Sequence, residues 1–342
     1  MKGQFRMYDF TTFERKLFDP WMNQFKSGEG IGEFSFEKGG PTSLYGTTDM
    51  LISIFILNNL MLFDYQADEW ANIINQFQDP KTGWYNKTYA LHHFKEHTSA
   101  YAIAALHLID RKPKYPFSWK NDILKSEKAH ERWISGRADI RLIWSIIWLG
   151  SHVISGIPAM LSMTNQGNDE FFNWCFNWLD NHADPKSGFY HQGIHHRLGV
   201  NRIPSKHEMA GAFHMYYIYE WFNRKWPYPE RIVDHCIRLQ HKNGFWDKDV
   251  TYCIDLDGLY SMIRSSRNAN WYRREDVKQT VCRYLENAER TLNDEEFFFK
   301  NYTNSHLLPG ALSAIAECQK WFPELVKTAQ TWKQSLDYAC FI

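Results

Sequence analysis

The sequence predicts an all-α fold, an (α/α)6 toroid in which six helical hairpins form an inner and an outer ring of helices. Three observations predict it: a turn motif that recurs along the chain, a series of polar residues that each open an apolar helix, and amphipathic segments between them. Repeats at a period of about 20–50 residues are typical of architectures built from one supersecondary unit.

The turn motif occurs three times. Asp79–Tyr85 reads Asp-Pro-Lys-Thr-Gly-Trp-Tyr, and Asp184–Tyr190 repeats it as Asp-Pro-Lys-Ser-Gly-Phe-Tyr. Gln240–Trp246, Gln-His-Lys-Asn-Gly-Phe-Trp, is a looser third copy. In each copy a glycine followed by aromatic residues comes after a helical stretch, which is the chemistry of a helix end and a turn. The motif therefore marks helix ends.

A second series alternates with these turns and predicts the inner helices. Each member begins with a polar residue, has a small residue or proline three positions later, and continues as an apolar stretch. One period before the first member, Tyr45–Ile52 supplies a further copy. The members begin at His97, His152, His207, Asp255 and His306, so that successive starts lie 55, 55, 48 and 51 residues apart.

The segments between these members read as amphipathic outer helices. A helix that is apolar all round must be buried on every side, whereas an amphipathic helix faces water on one side. Closing the ring removes the need for the polar end caps of an open α-solenoid, which is the alternative architecture. The predicted outer helices are Asp68–Phe77, Asn168–Asn181, Pro229–Gln240, Arg273–Leu292 and Pro323–Tyr338.

The repeat also predicts the domain organisation. Six units of about 50 residues fill most of the chain. We therefore expect a single domain over residues 1–342, in which residues 1–40 form an N-terminal extension that packs on the ring.

Composition excludes some partners. The 39 basic and 39 acidic residues give a formal net charge of zero, which leaves no basic surface for a nucleic-acid partner. No signal peptide is recognisable, and the most apolar stretch, Leu51–Phe63, is shorter than the ~20 residues that span a membrane. We expect a cytoplasmic protein without a membrane span; the sequence does not predict its oligomeric state.

One motif carries a family resemblance. Gln240-x-x-x-Gly244-x-Trp246 matches the core of the QW motif of terpenoid cyclases. With the helical period, the chain resembles the α/α toroid shared by terpenoid cyclases and protein prenyltransferase β subunits. Class II terpenoid cyclases carry an Asp-x-Asp-Asp acid motif at the start of an inner helix. Asp255-Leu-Asp257-Gly258 supplies its first two aspartates, so the resemblance implies that Asp257 is the proton donor.

The resemblance to protein prenyltransferases also raises the question of a zinc site. Protein prenyltransferases hold zinc with an Asp-x-Cys pair and a distant histidine. Here Asp255-Leu-Asp257 lacks the cysteine, although His306 lies one unit later, where the histidine is expected.

In a ring of this kind the starts of the inner helices gather at one mouth, which predicts the functional site. Two nearby aspartates can have split pKa values, so that Asp257 acts as general acid while Asp255 stays charged and orients it. N-capping is the competing interpretation for an aspartate, but histidine is not a preferred cap. The predicted catalytic residues are Asp257, Asp255, His207 and His306, and the predicted substrate-binding residues are His97, His152, Tyr45, Asp49, Tyr101 and Tyr260.

No metal site and no cofactor motif are assigned. His207-Glu208 begins like a zinc-protease motif, but Gly211 stands where its second histidine would be. His93 and His97, at i, i+4 spacing, leave a divalent metal as an open alternative. The remaining histidines, His214 among them, are assigned to surface or core positions.

Three functional hypotheses remain. The first is an enzyme that performs acid–base chemistry on an oligosaccharide or acidic glycan, as a lyase, hydrolase or epimerase, because tryptophan and tyrosine stack on sugars while polar groups bind hydroxyls. The second is a terpenoid cyclase or prenyltransferase-like enzyme with Asp257 as general acid. The third is a non-catalytic binding toroid. The expected ligand is a small molecule or an oligosaccharide.

Overall fold

The computed structural model describes residues 6–58, 64–85, 93–135, 147–190 and 204–342. Within these ranges the chain is all-α, apart from short 3-10 and π turns and one pair of two-residue strands. The helices are α1 (Phe18–Asn23), α2 (Leu44–Ile56), α3 (Asp64–Asn75), α4 (Lys95–Leu108), α5 (Lys120–Leu124), α6 (Glu127–Ser135), α7 (Ile147–Met163), α8 (Asp169–His182), α9 (Lys206–Trp221), α10 (Pro229–Leu239), α11 (Cys253–Asn268), α12 (Arg274–Asn293), α13 (Glu295–Asn301) and α14 (Leu307–Trp321).

Six apolar helices, which we call the core helices, contact one another in a cycle. Helix α2 packs against α4, α4 against α7, α7 against α9, α9 against α11, α11 against α14, and α14 against α2. They are apolar on most sides, as the sequence predicts: α2, for example, buries every residue except Ile54. This cycle of contacts brings together residues that lie up to 257 positions apart.

Other helices pack on the core helices through one face only. Helix α3 contacts α2 and α4, and it buries Ala67, Trp70, Ala71 and Ile74, which share one side of the helix because they recur every three or four residues. Helices α10 and α12 likewise pack on one core helix, α11. The amphipathic segments that begin at Asp68, Asn168, Pro229 and Arg273 are therefore confirmed as helices.

The glycines of the three turn motifs share one backbone conformation. Gly83, Gly188 and Gly244 have φ values of 79°, 77° and 84°, a left-handed conformation that favours glycine. In the first copy the amide of Gly83 donates to the carbonyl of Asp79 over 2.8 Å, and the second copy repeats this bond between Gly188 and Asp184 over 2.7 Å. The motif is therefore a structural element of the repeat.

The third turn is packed against the start of α11. The backbone amide of Trp246 donates to Oδ1 of Asp255 over 2.8 Å, and the indole Nε1 donates to the carbonyl of Cys236 over 2.9 Å. A Cβ on Gly258 would lie 2.7 Å from the indole ring. The indole of Trp246 therefore fills the space that a side chain at position 258 would occupy.

The last predicted helix, Pro323–Tyr338, is wrong. This segment forms a 3-10 turn over Pro323–Leu325, a strand β2 over Val326–Lys327 and a second 3-10 turn over Ser335–Asp337. Strand β2 pairs in parallel with β1 (Tyr8–Asp9) near the start of the chain. This tertiary pairing, together with the burial of apolar side chains at irregular spacing, outweighs the helical propensity of the segment.

The N-terminal segment contacts distant parts of the chain. Trp21 is fully buried, and its indole Nε1 donates to the carbonyl of Tyr302 over 2.9 Å. Its ring packs against Phe25 and Phe298. No helix among the described residues combines the length and the apolar character needed to cross a membrane.

Candidate active site

A cavity of about 50 Å³ lies between the core helices, with walls supplied by five of the six. This volume has room for a few water-sized groups. Its lining combines imidazoles, one carboxyl group and aromatic rings. The lining residues are His93, His97, Tyr101, Trp148, His152, Phe213, His214, Cys253, Leu256, Asp257, His306, Pro309, Gly310 and Ile342.

Five of these lining residues are histidines whose rings are in contact. The ring centroids of His93 and His97 are 4.0 Å apart, and those of His97 and His152 are 4.3 Å apart. His214 lies 5.3 Å from His152, and His306 lies 5.5 Å from His93. Helices α4, α7, α9 and α14 each bring at least one of these rings to the cavity, either from the helix or from the residues just before it.

Three of these imidazoles, those of His97, His152 and His214, are held in the uncharged form. Burial, followed by the neighbouring histidines, lowers the pKa of His97 and of His152 well below the usual 6.5. Burial alone lowers the pKa of His214 to about 3. A buried cluster of like-charged rings would be unfavourable, so at neutral pH these side chains are neutral bases and ligands rather than cations.

His306 is held by a buried aspartate. Its Nδ1 lies 2.8 Å from Oδ1 of Asp49, whose side chain is completely buried. Asp49 also accepts hydrogen bonds from the hydroxyl of Tyr101, over 2.7 Å, and of Ser305, over 2.6 Å. An aspartate that accepts the Nδ1 proton fixes the tautomer in which Nε2 is unprotonated. This arrangement suits a general base at the cavity.

The two aspartates at the start of α11 have different surroundings. Asp255 accepts backbone N–H bonds from Trp246, over 2.8 Å, and from Tyr252, over 3.1 Å, and it does not line the cavity. Asp257 lines the cavity, and its Oδ2 is buried without a hydrogen-bond partner among the described residues. Asp255 therefore secures the third turn to α11, while Asp257 presents a carboxyl group to the cavity.

The pKa values of this pair differ for physical reasons. Burial raises the pKa of Asp255 to about 7, although the N–H donors of Trp246 and Tyr252 oppose that shift. Burial and the nearby Asp255 raise the pKa of Asp257 well above 3.8. Asp257 is thus the member of the pair that keeps its proton, which is the state a general acid needs.

A tyrosine connects two of the histidines from behind the cavity wall. The hydroxyl of Tyr45 lies 2.6 Å from Nδ1 of His93 and 3.2 Å from Nδ1 of His97. It also lies 3.4 Å from Oγ1 of Thr98. Burial raises the pKa of Tyr45, so the group remains a neutral phenol that holds both rings in place.

The structure brings most of the predicted site residues together. His97, His152, His306, Tyr101 and Asp257 line the cavity, and Tyr45 and Asp49 bond directly to lining histidines. Three predicted residues lie elsewhere and do not line it: Asp255, His207 and Tyr260.

His207 and Tyr260 each pack against a neighbouring side chain. His207 is only partly buried, and its ring stacks on Trp148 with the centroids 5.7 Å apart. Tyr260 is fully buried and lies under the guanidinium of Arg264, 4.4 Å from the ring centroid. Each of these side chains packs against other residues and does not itself line the cavity.

Two lining histidines were not among the predicted site residues. His214 lies seven residues after His207 in α9, and it donates to or accepts from the hydroxyl of Ser151 over 2.7 Å. His93 lies four residues before His97 in the chain, but outside α4, which begins at Lys95. The i, i+4 and i, i+7 spacings were the available signals, but a histidine in the middle of an apolar helix resembles a core residue.

Three of the histidines are close enough to hold a metal ion. One nitrogen each of His93, His97 and His152 lies within 4.8 Å of the other two. Neutral imidazole is a common ligand of first-row transition metals. The cavity can therefore supply a proton donor, a base and a set of metal ligands.

The helical architecture is consistent with the toroid resemblance, which rests on Gln240, Gly244 and Trp246 and on the repeat. No protein-family model, no curated protein and no solved structure matches this chain.

Proposed function

We propose that this chain is an enzyme that performs acid–base chemistry on an oligosaccharide, with Asp257 as general acid and His306 as general base. We also propose that the cycle of core helices is the inner ring of an (α/α)6 toroid. One observation carries the catalytic proposal: the buried carboxyl group of Asp257, whose Oδ2 has no hydrogen-bond partner among the described residues, lines the same cavity as an imidazole oriented by a buried aspartate.

The acid is Asp257. A buried carboxyl group with a raised pKa holds its proton at neutral pH and can donate it to a leaving oxygen. Its partner in sequence, Asp255, is occupied by the backbone amides of Trp246 and Tyr252 and serves to position α11. This division gives the two aspartates a catalytic role and a positioning role.

The base is Nε2 of His306. The bond from Nδ1 to Asp49 orients the ring and stabilises the imidazolium that forms when Nε2 takes a proton. The side chain of His306 keeps 19% of its surface exposed, whereas Asp49 has none. The base can thus exchange protons at the cavity while its partner stays out of contact with solvent.

The lining favours a sugar over a hydrocarbon. Tyr101, Trp148 and Phe213 offer aromatic faces for stacking, and the histidines offer hydrogen bonds to hydroxyl groups. The volume of about 50 Å³ admits only the reacting groups, so the remainder of an oligosaccharide would extend outside the cavity.

A terpenoid cyclase is the second candidate, and a specific observation supports it. The Gln240–Trp246 turn packs on the helix that carries Asp257. Asp257 is the residue that the resemblance to terpenoid cyclases implies as the proton donor. Against it, the five histidines of the cavity offer strong hydrogen-bonding groups that a hydrocarbon chain cannot satisfy. If the chain were a non-catalytic binding toroid, the third candidate, we would expect side chains to fill the centre of the ring. The cavity between the core helices weighs against this candidate.

Ligand-induced stabilisation distinguishes these candidates. Thermal unfolding of the wild-type chain is followed with neutral oligosaccharides, acidic oligosaccharides and isoprenoid diphosphates. A ligand at one hundred times its dissociation constant stabilises the folded state by about 2.7 kcal/mol. We expect stabilisation by an oligosaccharide. Stabilisation by isoprenoid diphosphates alone would favour the cyclase, and no response to any class would contradict an enzyme of either type.

A further inference from the structure

We propose that His93, His97 and His152 form a binding site for a divalent transition metal ion, with zinc as the expected occupant. No motif in the sequence assigns this site, because two ligands precede or begin α4 and the third lies in α7. The inference stands on the geometry of the three rings and does not require the acid–base proposal to hold.

The first argument is the donor geometry. One nitrogen of each ring lies within 4.8 Å of the other two. Zn–N distances of about 2.0–2.1 Å in a tetrahedral site place ligand nitrogens about 3.4 Å apart. Small rotations of the side chains close that difference. A set of three imidazoles with a fourth position open is the arrangement of several catalytic zinc sites.

The second argument is the tautomer that Tyr45 favours. A single hydroxyl can satisfy its three close neighbours if it accepts Nδ1–H from His93 and His97 and donates its own proton to Thr98. In that arrangement Nε2 of both rings carries a lone pair. Metal-binding histidines are held in this way by a hydrogen bond on the opposite nitrogen.

The third argument is an unsatisfied atom. His152 is 2% exposed, and its Nδ1 has no hydrogen-bond partner among the described residues. An unpaired buried polar atom costs about 1–3 kcal/mol. Coordination of a metal through Nδ1 of His152 would satisfy this atom.

Metal binding is tested without any substrate. The full chain is stripped with a chelator, and Zn²⁺ binding is measured by competition with a chromophoric chelator and by metal analysis after dialysis. We expect one equivalent of zinc for each chain and a higher midpoint of thermal unfolding with zinc than without it. Co²⁺ in place of zinc should give the visible absorption of a tetrahedral site.

Variants assign the ligands. His93→Gln is the first choice because His93 is only partly buried, and His152→Gln is the second. Each should weaken zinc binding by about 100-fold or more, and Tyr45→Phe should weaken it by about 10–100-fold, as expected for a residue that orients ligands. His207→Gln is the matched control, since His207 is partly buried beside Trp148 but outside the cluster.

The outcomes separate this inference from the proposed function. Zinc binding that is absent, or unchanged in both His93→Gln and His152→Gln folded as wild type by circular dichroism, would overturn the metal site. Equal loss of binding in His207→Gln would overturn the assignment of ligands. None of these results depends on turnover, so the role of Asp257 would remain open to its own test.

Discussion

Nδ1 of His306 lies 2.8 Å from Oδ1 of Asp49, although the two residues are 257 positions apart in the chain. Asp49 belongs to α2 and His306 is the residue before α14, so this contact joins the two helices that close the cycle of core helices. The same carboxylate accepts from Tyr101 of α4. One buried aspartate therefore connects three core helices and orients a cavity histidine.

Asp49→Asn should reduce turnover by about 10²–10⁴-fold, because the amide no longer holds His306 in the tautomer that exposes a basic Nε2. The measurement is steady-state turnover of Asp49→Asn and wild type, with a substrate of the class that stabilises the chain in thermal unfolding. Ser305→Ala is the control, since it removes one donor to Asp49 and leaves the contact to His306. Similar losses in both variants would contradict a specific role for the His306–Asp49 contact.

Asp255→Asn should destabilise the fold by about 1–3 kcal/mol. The two carboxylate oxygens of Asp255 accept from two different backbone amides, and an asparagine has only one acceptor oxygen, so one N–H donor loses its partner. Urea denaturation measures the free energy of unfolding. Asp257→Asn should cost less, because Oδ2 of Asp257 has no hydrogen-bond partner among the described residues. A larger cost for Asp257→Asn would reverse the roles we assign to the pair.

Proton linkage gives a prediction with a definite sign for Asp257. Its pKa is raised in the folded chain, so the folded state keeps this proton at pH values where the unfolded chain, with a pKa near 3.8, has lost it. The stability of wild type relative to Asp257→Asn is therefore greatest below about pH 4. Above that it falls by up to about 1.4 kcal/mol per pH unit, until the pH reaches the folded pKa.

Urea denaturation of wild type and Asp257→Asn at several pH values between about 4 and 7 provides this difference. Taking the difference removes the opposite contribution of the buried histidines, whose lowered pKa values make the folded state lose stability as the pH falls. A difference that is independent of pH, or that grows as the pH rises, would show that Asp257 is ionised in the folded chain.

Gly258→Ala should destabilise the chain by about 1–3 kcal/mol, because the added Cβ would lie 2.7 Å from the indole of Trp246. The midpoint of thermal unfolding reports this. Gly30→Ala is the matched control, since its Cβ would meet only the side-chain end of Glu33. An unchanged midpoint for Gly258→Ala would mean that the third turn does not pack on α11 as described.

The sequence predicts the helical class and much of the cavity for one reason, the regular spacing of its repeats. His97, His152 and His306 occur at corresponding points of different repeats, and all three line the cavity. His207 shares that position but stacks on Trp148 instead, while His214 reaches the cavity two helical turns later. The spacing therefore locates the helix of each repeat, but packing decides which of its residues faces the cavity.

Long-range contacts could not be predicted in the same way. The pairing of Asp49 with His306, and of β1 with β2, joins residues that no local pattern connects. Asp255 and Asp257 are alike in sequence, and only the third turn, whose backbone amide meets Asp255, separates their roles. Tertiary contacts therefore determine which predicted residues are functional and which hold the fold.

Turnover of an oligosaccharide panel by wild type and Asp257→Asn tests the central claim most directly. Products are detected as new reducing ends, unsaturated ends or epimers, and both proteins are first shown to unfold at similar temperatures. The account predicts product with wild type and a loss of about 10²–10⁴-fold with Asp257→Asn. Equal turnover by both proteins, or no product from any oligosaccharide, would contradict it.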